Sequence, residues 1–284
     1  MRISLVAVGV SFGLVAALGC VDKVEKIAEV GTMQVAAADE PKQEWGTIKG
    51  RAVWGEKEMP EVVKLKVEGQ DKDYCLSKGA VVSEEYIVDP KTQGVKNVVV
   101  WLMDVKDPKK GKLPIHPNLA KSKQPSVTLD QPCCAFEPHV LAMRDDQSIV
   151  INNSAEKPHN VHFLGGLEFN QQIPAGGQME LKNVKPSGII TNVQCDIHGF
   201  MKAKLLILPH PYFAVTGADG KFEIKNVPAG KYRLAMWHEG MGWVAFDDPE
   251  TPKNGKLIEI KPEGQVKGGG ETDLGEFKVM KSKD

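Results

Sequence analysis

The chain has 284 residues, of which 42% are apolar and 26% charged, and its formal net charge is −1 at pH 7. This near-neutral balance excludes nucleic acids and strongly acidic surfaces as expected partners, and the length allows about two globular domains. Glycine (28 residues) and proline (18 residues) are plentiful while aromatic residues make up 6%, which favours β-strands separated by many turns.

The N-terminus predicts a secretory signal peptide over residues 1–19. A single Arg2 precedes an uncharged, mostly apolar run that ends at Gly19 and is short for a membrane span of about 20 residues. The last residues of this run, with Cys20, resemble a bacterial lipoprotein signal, which implies that Cys20 is acylated; ordinary cleavage with Cys20 incidental is the alternative. Residues 20–44 are polar and alanine-rich, and we interpret them as a lipid anchor and tether. We therefore expect a protein of the periplasm or cell envelope, held at the membrane by its N-terminal lipid.

Residues 45–130 predict a β-rich N-terminal region. Strand patterns cover Gly46–Trp54 and Val62–Val67. The continuous apolar run Asn97–Leu102 predicts a strand buried on both faces.

Three cysteines besides Cys20 and Cys195 lie in the first half of the chain. An exported protein can form disulfides, and we expect Cys75 to pair with Cys134 or with Cys133, because a bridge between the two adjacent cysteines would be strained. His139 follows this pair closely. It is either a metal ligand together with the thiols or part of a disulfide-stabilised turn.

Residues 131–208 read as short strands between turns, which predicts a β-sandwich. The predicted strands are Ser148–Asn153, Val161–Leu164, Gln178–Leu181, Ile189–Cys195 and Met201–Leu208. A second strand-and-turn pattern, with a hairpin signal at Asp219-Gly220, covers residues 209–284 and predicts a second sandwich. His238 in this region lies between Trp237 and Glu239, and the three are either a functional group or a packed tryptophan beside a buried histidine. The predicted fold class is all-β.

The loop after the strand Ile189–Cys195 carries soft metal donors at regular spacing. Cys195, His198 and Met201 place a thiolate, an imidazole and a thioether at three-residue intervals. Thiolate and thioether ligands favour copper, whereas a thioether is a poor ligand for zinc. The spacing alone is common by chance, and a buried free cysteine or methionine is usually core packing.

Strand alternation selects the second imidazole. His159 has the same parity as the apolar Val161 and Phe163, whereas His162 points to the opposite face of the strand. Both histidines cannot easily serve one ion from a regular strand, so we predict His159 as the ligand. The predicted set is therefore His159, Cys195, His198 and Met201, which is the donor set of a mononuclear blue-copper site.

These segments, His159 to Phe163 and Cys195 to Met201, resemble the amicyanin type of plastocyanin-like blue-copper protein (cupredoxin). The resemblance covers about residues 135–208 and implies one type-one copper ion on the same four ligands. It implies that Asn160 hydrogen-bonds across to the cysteine loop, and that His198 reaches the surface as the electron port beside an apolar patch containing Gly199 and Phe200. The chain departs from the family pattern where Asp196, Ile197 and Gly199 replace usual prolines.

Residues 210–280 resemble a carboxypeptidase-regulatory-like (transthyretin-like) β-sandwich, through Thr216–Phe222 and Val227–Tyr232. Gly46–Trp54 weakly resembles the opening strand of that family. The family is non-catalytic, which implies a scaffold or a docking surface.

Together these features predict an exported electron carrier with one copper ion, whose partner is a redox protein such as a c-type cytochrome or a dehydrogenase. Copper binding or delivery without electron transfer is the second reading, and a structural β-domain of the envelope is the third. An enzyme is not expected, because four protein ligands leave no coordination position for a substrate.

Overall fold

The structure, a computed structural model, describes residues 43–106, 112–186, 188–243, 256–260 and 271–280. The predicted signal peptide, Cys20 and all but the last two residues of the predicted tether lie outside the described residues. Within the described ranges, no helix has the length and apolar character needed to cross a membrane.

The fold is all-β, as the composition and the turn-separated apolar runs predict. In chain order the elements are β1 (Trp45–Trp54), α1 (Lys72–Leu76), β2 (Val99–Met103), a 3₁₀ turn (Pro117–Leu119), β3 (Ser126–Leu129), β4 (Val140–Arg144), β5 (Ser148–Asn152), β6 (His159–Leu164), β7 (Phe169–Ile173), β8 (Gln178–Leu181), β9 (Thr191–Gln194), β10 (Lys202–Leu208), β11 (Phe213–Val215), β12 (Lys221–Pro228), β13 (Gly230–His238), β14 (Gly242–Trp243), β15 (Lys256–Ile260) and β16 (Glu271–Val279). They form four sheets with the strand orders β12-β1-β16, β11-β2-β13-β14 with β15 on β13, β4-β10-β9-β6-β7, and β3-β5-β8.

Three apolar layers separate these four sheets. One layer joins the first and second sheets, which we call the outer sandwich, and contains Ile48 and Leu234. Another joins the third and fourth sheets, which we call the inner sandwich, and contains Ile151 and Cys195. The third layer lies between the second and third sheets, so the two sandwiches pack against each other through it.

The strand β2 lies in the middle of this stack and is buried on both faces. Val100 and Leu102 enter the core of the outer sandwich, whereas Val99 and Trp101 pack against the inner sandwich. Because neither face meets water, the sequence has no polar alternation there. This confirms the buried strand predicted from the run Asn97–Leu102.

The predicted N-terminal region 45–130 contributes to both sandwiches. β1 pairs with β12 and, in parallel, with β16, and β2 pairs with β11 and β13. β3, by contrast, pairs with β5 in the fourth sheet. The outer sandwich is therefore built from the two ends of the described chain, and most of the inner sandwich comes from the segment between them.

The run Val62–Val67 and the strand β7 are among the assignments that differ from the sequence prediction, which also lacks β3 and β4. The run Val62–Val67 makes one bridge, between Lys64 and Val82, instead of a strand. Val62 is 76% exposed and only Val67 is buried, so most of the run lies away from the core. β7 was not predicted from the sequence, because its central residues are polar and mostly exposed. It joins the sheet as an edge strand through backbone hydrogen bonds to β6.

Two histidines buried within the stack predict a loss of stability in mild acid. Burial, chiefly, lowers the pKa of His210 and of His238 from 6.5 to about 4 in each case. The unfolded chain therefore binds more protons than the folded one between these values, and stability falls as the pH drops from 6.5 towards 4. We expect a loss of about 2 kcal/mol per histidine by pH 5.

Urea denaturation of the metal-free protein at pH 7, 6 and 5 measures this effect. In His238→Gln the change of unfolding free energy with pH should be smaller than in the wild type. An identical pH dependence in both proteins would contradict the expectation.

Candidate metal centre

The loop from β9 to β10 is a tight turn that carries three of the four predicted ligands. Cys195 follows β9 directly, and its N–H donates to the Met201 carbonyl oxygen at 3.2 Å. The Met201 N–H in turn donates to the His198 carbonyl oxygen at 2.8 Å. These two bonds close the loop, so the three side chains start from a fixed backbone.

The structure brings His159, the first residue of β6, onto this loop. Its Nδ1 lies 2.9 Å from the Nδ1 of His198 and 3.9 Å from the Sγ of Cys195. The Cys195 Sγ lies 3.8 Å from the His198 Nδ1. In the described part of the chain, this is the only group of at least three His, Cys, Asp or Glu side chains whose donor atoms all lie within 4.8 Å of one another.

Met201 is 1% exposed and belongs to the same apolar cluster as Cys195. Its parity matches that of Ala203 and Leu205 in β10, which also face the core of the inner sandwich. The fourth predicted ligand therefore lies in the same apolar core as Cys195.

His159 is held in the state that a metal requires. Its side chain is fully buried, and desolvation, followed by the neighbouring His198, lowers its pKa from 6.5 to about 4. At pH 7 the ring is neutral, which leaves a lone pair on one nitrogen. Among the described residues its Nε2 has no hydrogen-bond partner, so the ring contributes to the centre through Nδ1.

His198 does not reach the surface, and the electron port implied by the cupredoxin resemblance is wrong in this respect. The side chain is 3% exposed, and its Nε2 lies 3.2 Å from the Oδ2 of Asp71. Asp71 comes directly before α1, in the segment between β1 and β2, and this segment covers the ring. Gly199 is exposed and Phe200 half-buried, but the imidazole beside them is closed off from solvent.

Asn160 connects the two segments that carry the ligands. Its Oδ1 accepts hydrogen bonds from the N–H of Asp196 at 2.6 Å and of Ile197 at 3.4 Å. Its Nδ2 donates to the carboxylate of Asp196 at 3.1 Å and to Asn170 at 2.8 Å. The amide thereby fixes the cysteine loop against β6.

Asp196 stands where the resembled family usually has a proline, and it stabilises the loop by hydrogen bonds instead. Its carboxylate accepts from His162, Gln194, Asn170 and Asn160. The bond from His162 is the largest cause that lowers the pKa of Asp196 to about 2. His162 is thus on the outer face of the strand, bound to Asp196, whereas His159 faces the core.

Removing the amide of Asn160 is expected to loosen the loop. Asn160→Ala leaves the part-buried Asp196 N–H without its acceptor, which costs about 1 kcal/mol of unfolding free energy. Urea denaturation of the metal-free protein measures this loss. The control is Asn170→Ala, an exposed member of the same network, whose loss should be clearly smaller; equal losses would contradict a special role for Asn160.

The structure joins Cys75 to Cys134 in a disulfide and leaves Cys133 as a free, half-buried thiol. Cys134 therefore cannot act as a ligand with His139. The His139 ring lies between two carboxylates, with Nε2 2.5 Å from Glu239 and Nδ1 3.5 Å from Glu84. Carboxylates at opposite ring nitrogens do not converge on one ion, so this group differs from the His159, Cys195 and His198 cluster.

The donor set fits copper. Donor-to-ion distances in such sites are about 2.0–2.3 Å, so donor atoms 2.9–3.9 Å apart can share one ion. Two imidazoles and a thiolate with a thioether nearby are the donors of trigonal blue-copper sites. The residues present are therefore compatible with a copper ion.

A scan against protein-family models and a search of the curated proteins found no match. Solved structures with some similarity include a reduced amicyanin variant, which is 20% identical with a TM-score of 0.27 and covers 31% of this chain and 88% of its own. An oxidised amicyanin variant is 15% identical with a TM-score of 0.27, over 38% of this chain and 98% of its own. A copper-containing nitrite reductase from Thermus scotoductus SA-01 is 19% identical with a TM-score of 0.29, over 34% and 27%. Because these TM-scores are low, the assignment of the candidate site rests on the side chains of this chain and not on the similar structures.

Proposed function

We propose that this chain is an exported electron carrier that binds one copper ion through His159, Cys195, His198 and Met201. The observation that carries the proposal is the convergence of three buried donor atoms, two imidazole nitrogens and one cysteine sulfur, within 3.9 Å of one another. A copper ion bound there would supply a one-electron couple between Cu(I) and Cu(II).

The protein's own part in this function is to hold the donors still. His159 starts a strand in the interior of the third sheet, and the loop from Cys195 to Met201 is closed by two backbone hydrogen bonds. The amide of Asn160 binds the loop to that strand. Ligands fixed in this way need little rearrangement when the charge at the centre changes, which favours fast electron transfer.

Burial of the centre favours electron transfer over copper delivery, and the number of protein donors disfavours catalysis. Four protein donors leave no position for a substrate, which disfavours catalysis. A delivery protein must exchange its ion with a partner, but His159, Cys195, His198 and Met201 are each at most 3% exposed. An electron can pass through protein atoms where an ion cannot.

We further propose the fold families that the sequence resembles. The inner sandwich would be the cupredoxin-like domain, and the outer sandwich the carboxypeptidase-regulatory-like one, with β1 as its opening strand. In this arrangement the outer sandwich acts as scaffold or docking surface for a redox partner, such as a c-type cytochrome or a dehydrogenase.

Location in the periplasm or cell envelope is part of the same proposal. The disulfide between Cys75 and Cys134 supports it, because such bonds persist in oxidising compartments. The signal peptide and the lipid on Cys20 remain predictions from the sequence.

Copper loading tests the proposed function. Purified metal-free protein is titrated with Cu(II), and its absorption and electron-paramagnetic-resonance spectra are recorded. We expect one ion per chain with the intense visible band of a copper thiolate, and rapid oxidation of a reduced c-type cytochrome in stopped flow. A loaded protein that stayed colourless and redox-silent would overturn the proposal, and ready transfer of Cu(I) to a chelator without electron transfer would favour delivery.

A further inference from the structure

We propose that Asp71 is a positioning residue of the metal centre: its carboxylate fixes the ring of His198 and favours the oxidised state of the copper. This inference rests on the proposed function and extends it to a residue outside the four ligands. Asp71 is 127 residues away from His198 in the sequence. It comes from the segment between two strands of the outer sandwich.

The segment that carries Asp71 is anchored over the centre. Asp71 directly precedes α1, and its carbonyl oxygen accepts a hydrogen bond from the N–H of Cys75 at 2.9 Å. Cys75 is buried and bonded to Cys134 in the core of the inner sandwich. The hydroxyl of Tyr74 accepts from the N–H of Glu156, close to the start of β6. The disulfide and this hydrogen bond together hold the segment on the inner sandwich.

The carboxylate of Asp71 is used for the metal centre and not for the helix. A residue in this position often caps a helix through its side chain, but within the described structure the Asp71 carboxylate makes no such bond. Its Oδ2 faces the His198 Nε2 at 3.2 Å, and its Oδ1 faces the Lys157 Nζ at 3.3 Å. The side chains of Asp71 and His198 are 7% and 3% exposed, so the contact between them is shielded from water, whereas Lys157 is partly exposed.

Asp71 is anionic in this setting. Its Oδ1 lies 3.3 Å from the Lys157 Nζ, and an ammonium group at this distance favours the charged carboxylate. Lys157 is itself held in place, with its Nζ 5.6 Å from the centre of the Tyr74 ring. The carboxylate is therefore paired with Lys157 through one oxygen and presents its other oxygen to His198.

Two consequences follow for His198. An anionic carboxylate accepts the Nε2 proton, so the ring is held as the tautomer with a lone pair on Nδ1, the atom that faces Cys195 and His159. Carboxylates that hold metal-binding histidines in this way orient the ring and increase its basicity. A nearby negative charge also stabilises the more positive, oxidised state of a bound ion.

The test is the reduction potential of Asp71→Asn, which keeps the shape of the side chain and removes its charge. We expect the ratio of oxidised to reduced protein at a fixed potential to fall roughly tenfold, which is a rise of about 59 mV for a one-electron couple. The matched control is Asp73→Asn, which removes the same charge from the exposed face of α1 and should shift the ratio less than twofold. Equal shifts in the two variants, or no shift in Asp71→Asn, would overturn the proposal.

A second measurement needs no copper. Nitrogen-15 chemical shifts of the His198 ring in the metal-free protein report its tautomer. The wild type and Asp73→Asn should carry the proton on Nε2, and Asp71→Asn should lose this preference. A wild-type ring protonated on Nδ1 would overturn the positioning role. Because this readout is independent of copper, failure of the proposed function and failure of the Asp71 contact are distinguishable.

Discussion

Replacing Cys195 by serine is expected to abolish the intense visible absorption of the copper-loaded protein. That band requires a thiolate bonded to copper, and a serine hydroxyl is a hard donor that keeps its proton at neutral pH. Titration with Cu(II) followed by absorption spectroscopy measures the loss. Because His159 and His198 remain in place, we expect the variant to retain weak binding of Cu(II) without the visible band.

The variant should still fold, because serine is smaller than cysteine and its hydroxyl lies beside two imidazole rings. Burying that hydroxyl is expected to lower the unfolding free energy of the metal-free protein by about 1–3 kcal/mol. The matched control is Cys133→Ser, which removes the other free thiol among the described residues. An unchanged band in Cys195→Ser, or its loss in Cys133→Ser, would show that the ligand assignment is wrong.

Removing the disulfide between Cys75 and Cys134 is expected to cause the largest loss of stability. The bond closes a loop across 59 positions of sequence, and release of such a loop in the unfolded chain costs about 4 kcal/mol. The double variant Cys75→Ala with Cys134→Ala tests this, because it leaves neither cysteine of the disulfide as an unpaired thiol. Urea denaturation of the metal-free protein gives the change in unfolding free energy.

The same variant also tests whether the disulfide holds the segment that carries Asp71 over His198. Asp71 lies one helical turn before Cys75, so loss of the anchor should leave His198 more accessible to solvent. Hydrogen exchange of the backbone N–H of residues 71–77 should then become faster, while exchange in β6 stays slow. A stability loss below about 1 kcal/mol with unchanged exchange would contradict the anchoring role.

Two simple rules predict from the sequence the side chains that the structure brings together at the candidate metal centre. Soft donors at fixed spacing identified Cys195, His198 and Met201, and strand alternation selected His159 over His162. The structure places His159 with Cys195 and His198, and it places His162 against Asp196 on the other face. Both rules use information within a few residues of each ligand, which is why they work without a structure.

Asp71 could not be predicted in the same way. It stands in a polar stretch, Asp71-Lys72-Asp73, with no pattern of its own, and its contact to His198 depends on the path of the chain from one sandwich to the other.

The choice between Cys133 and Cys134 is open in the sequence for a related reason. The two cysteines are adjacent, and the backbone decides which of them faces the core, where Cys134 is 1% exposed. β7 was missed because its membership in the sheet comes from backbone pairing and not from apolar side chains.

The pairing of β2 with β11 has a consequence for how the two sandwiches depend on each other. Because Trp101 lies opposite Phe213, the chain leaves the outer sandwich and returns to it at neighbouring positions, so most of the inner sandwich is an insertion within the outer one. The segment that carries Asp71 and Cys75 precedes that insertion, yet it closes the metal centre. A fragment that started after β2 would retain all four donors but lose Asp71, whose carboxylate contacts His198, and Cys75, whose disulfide anchors the segment. The segment that carries the donor cluster is therefore not self-sufficient. To transfer it to another chain, the part of the outer sandwich that contains Asp71 and Cys75 must be included.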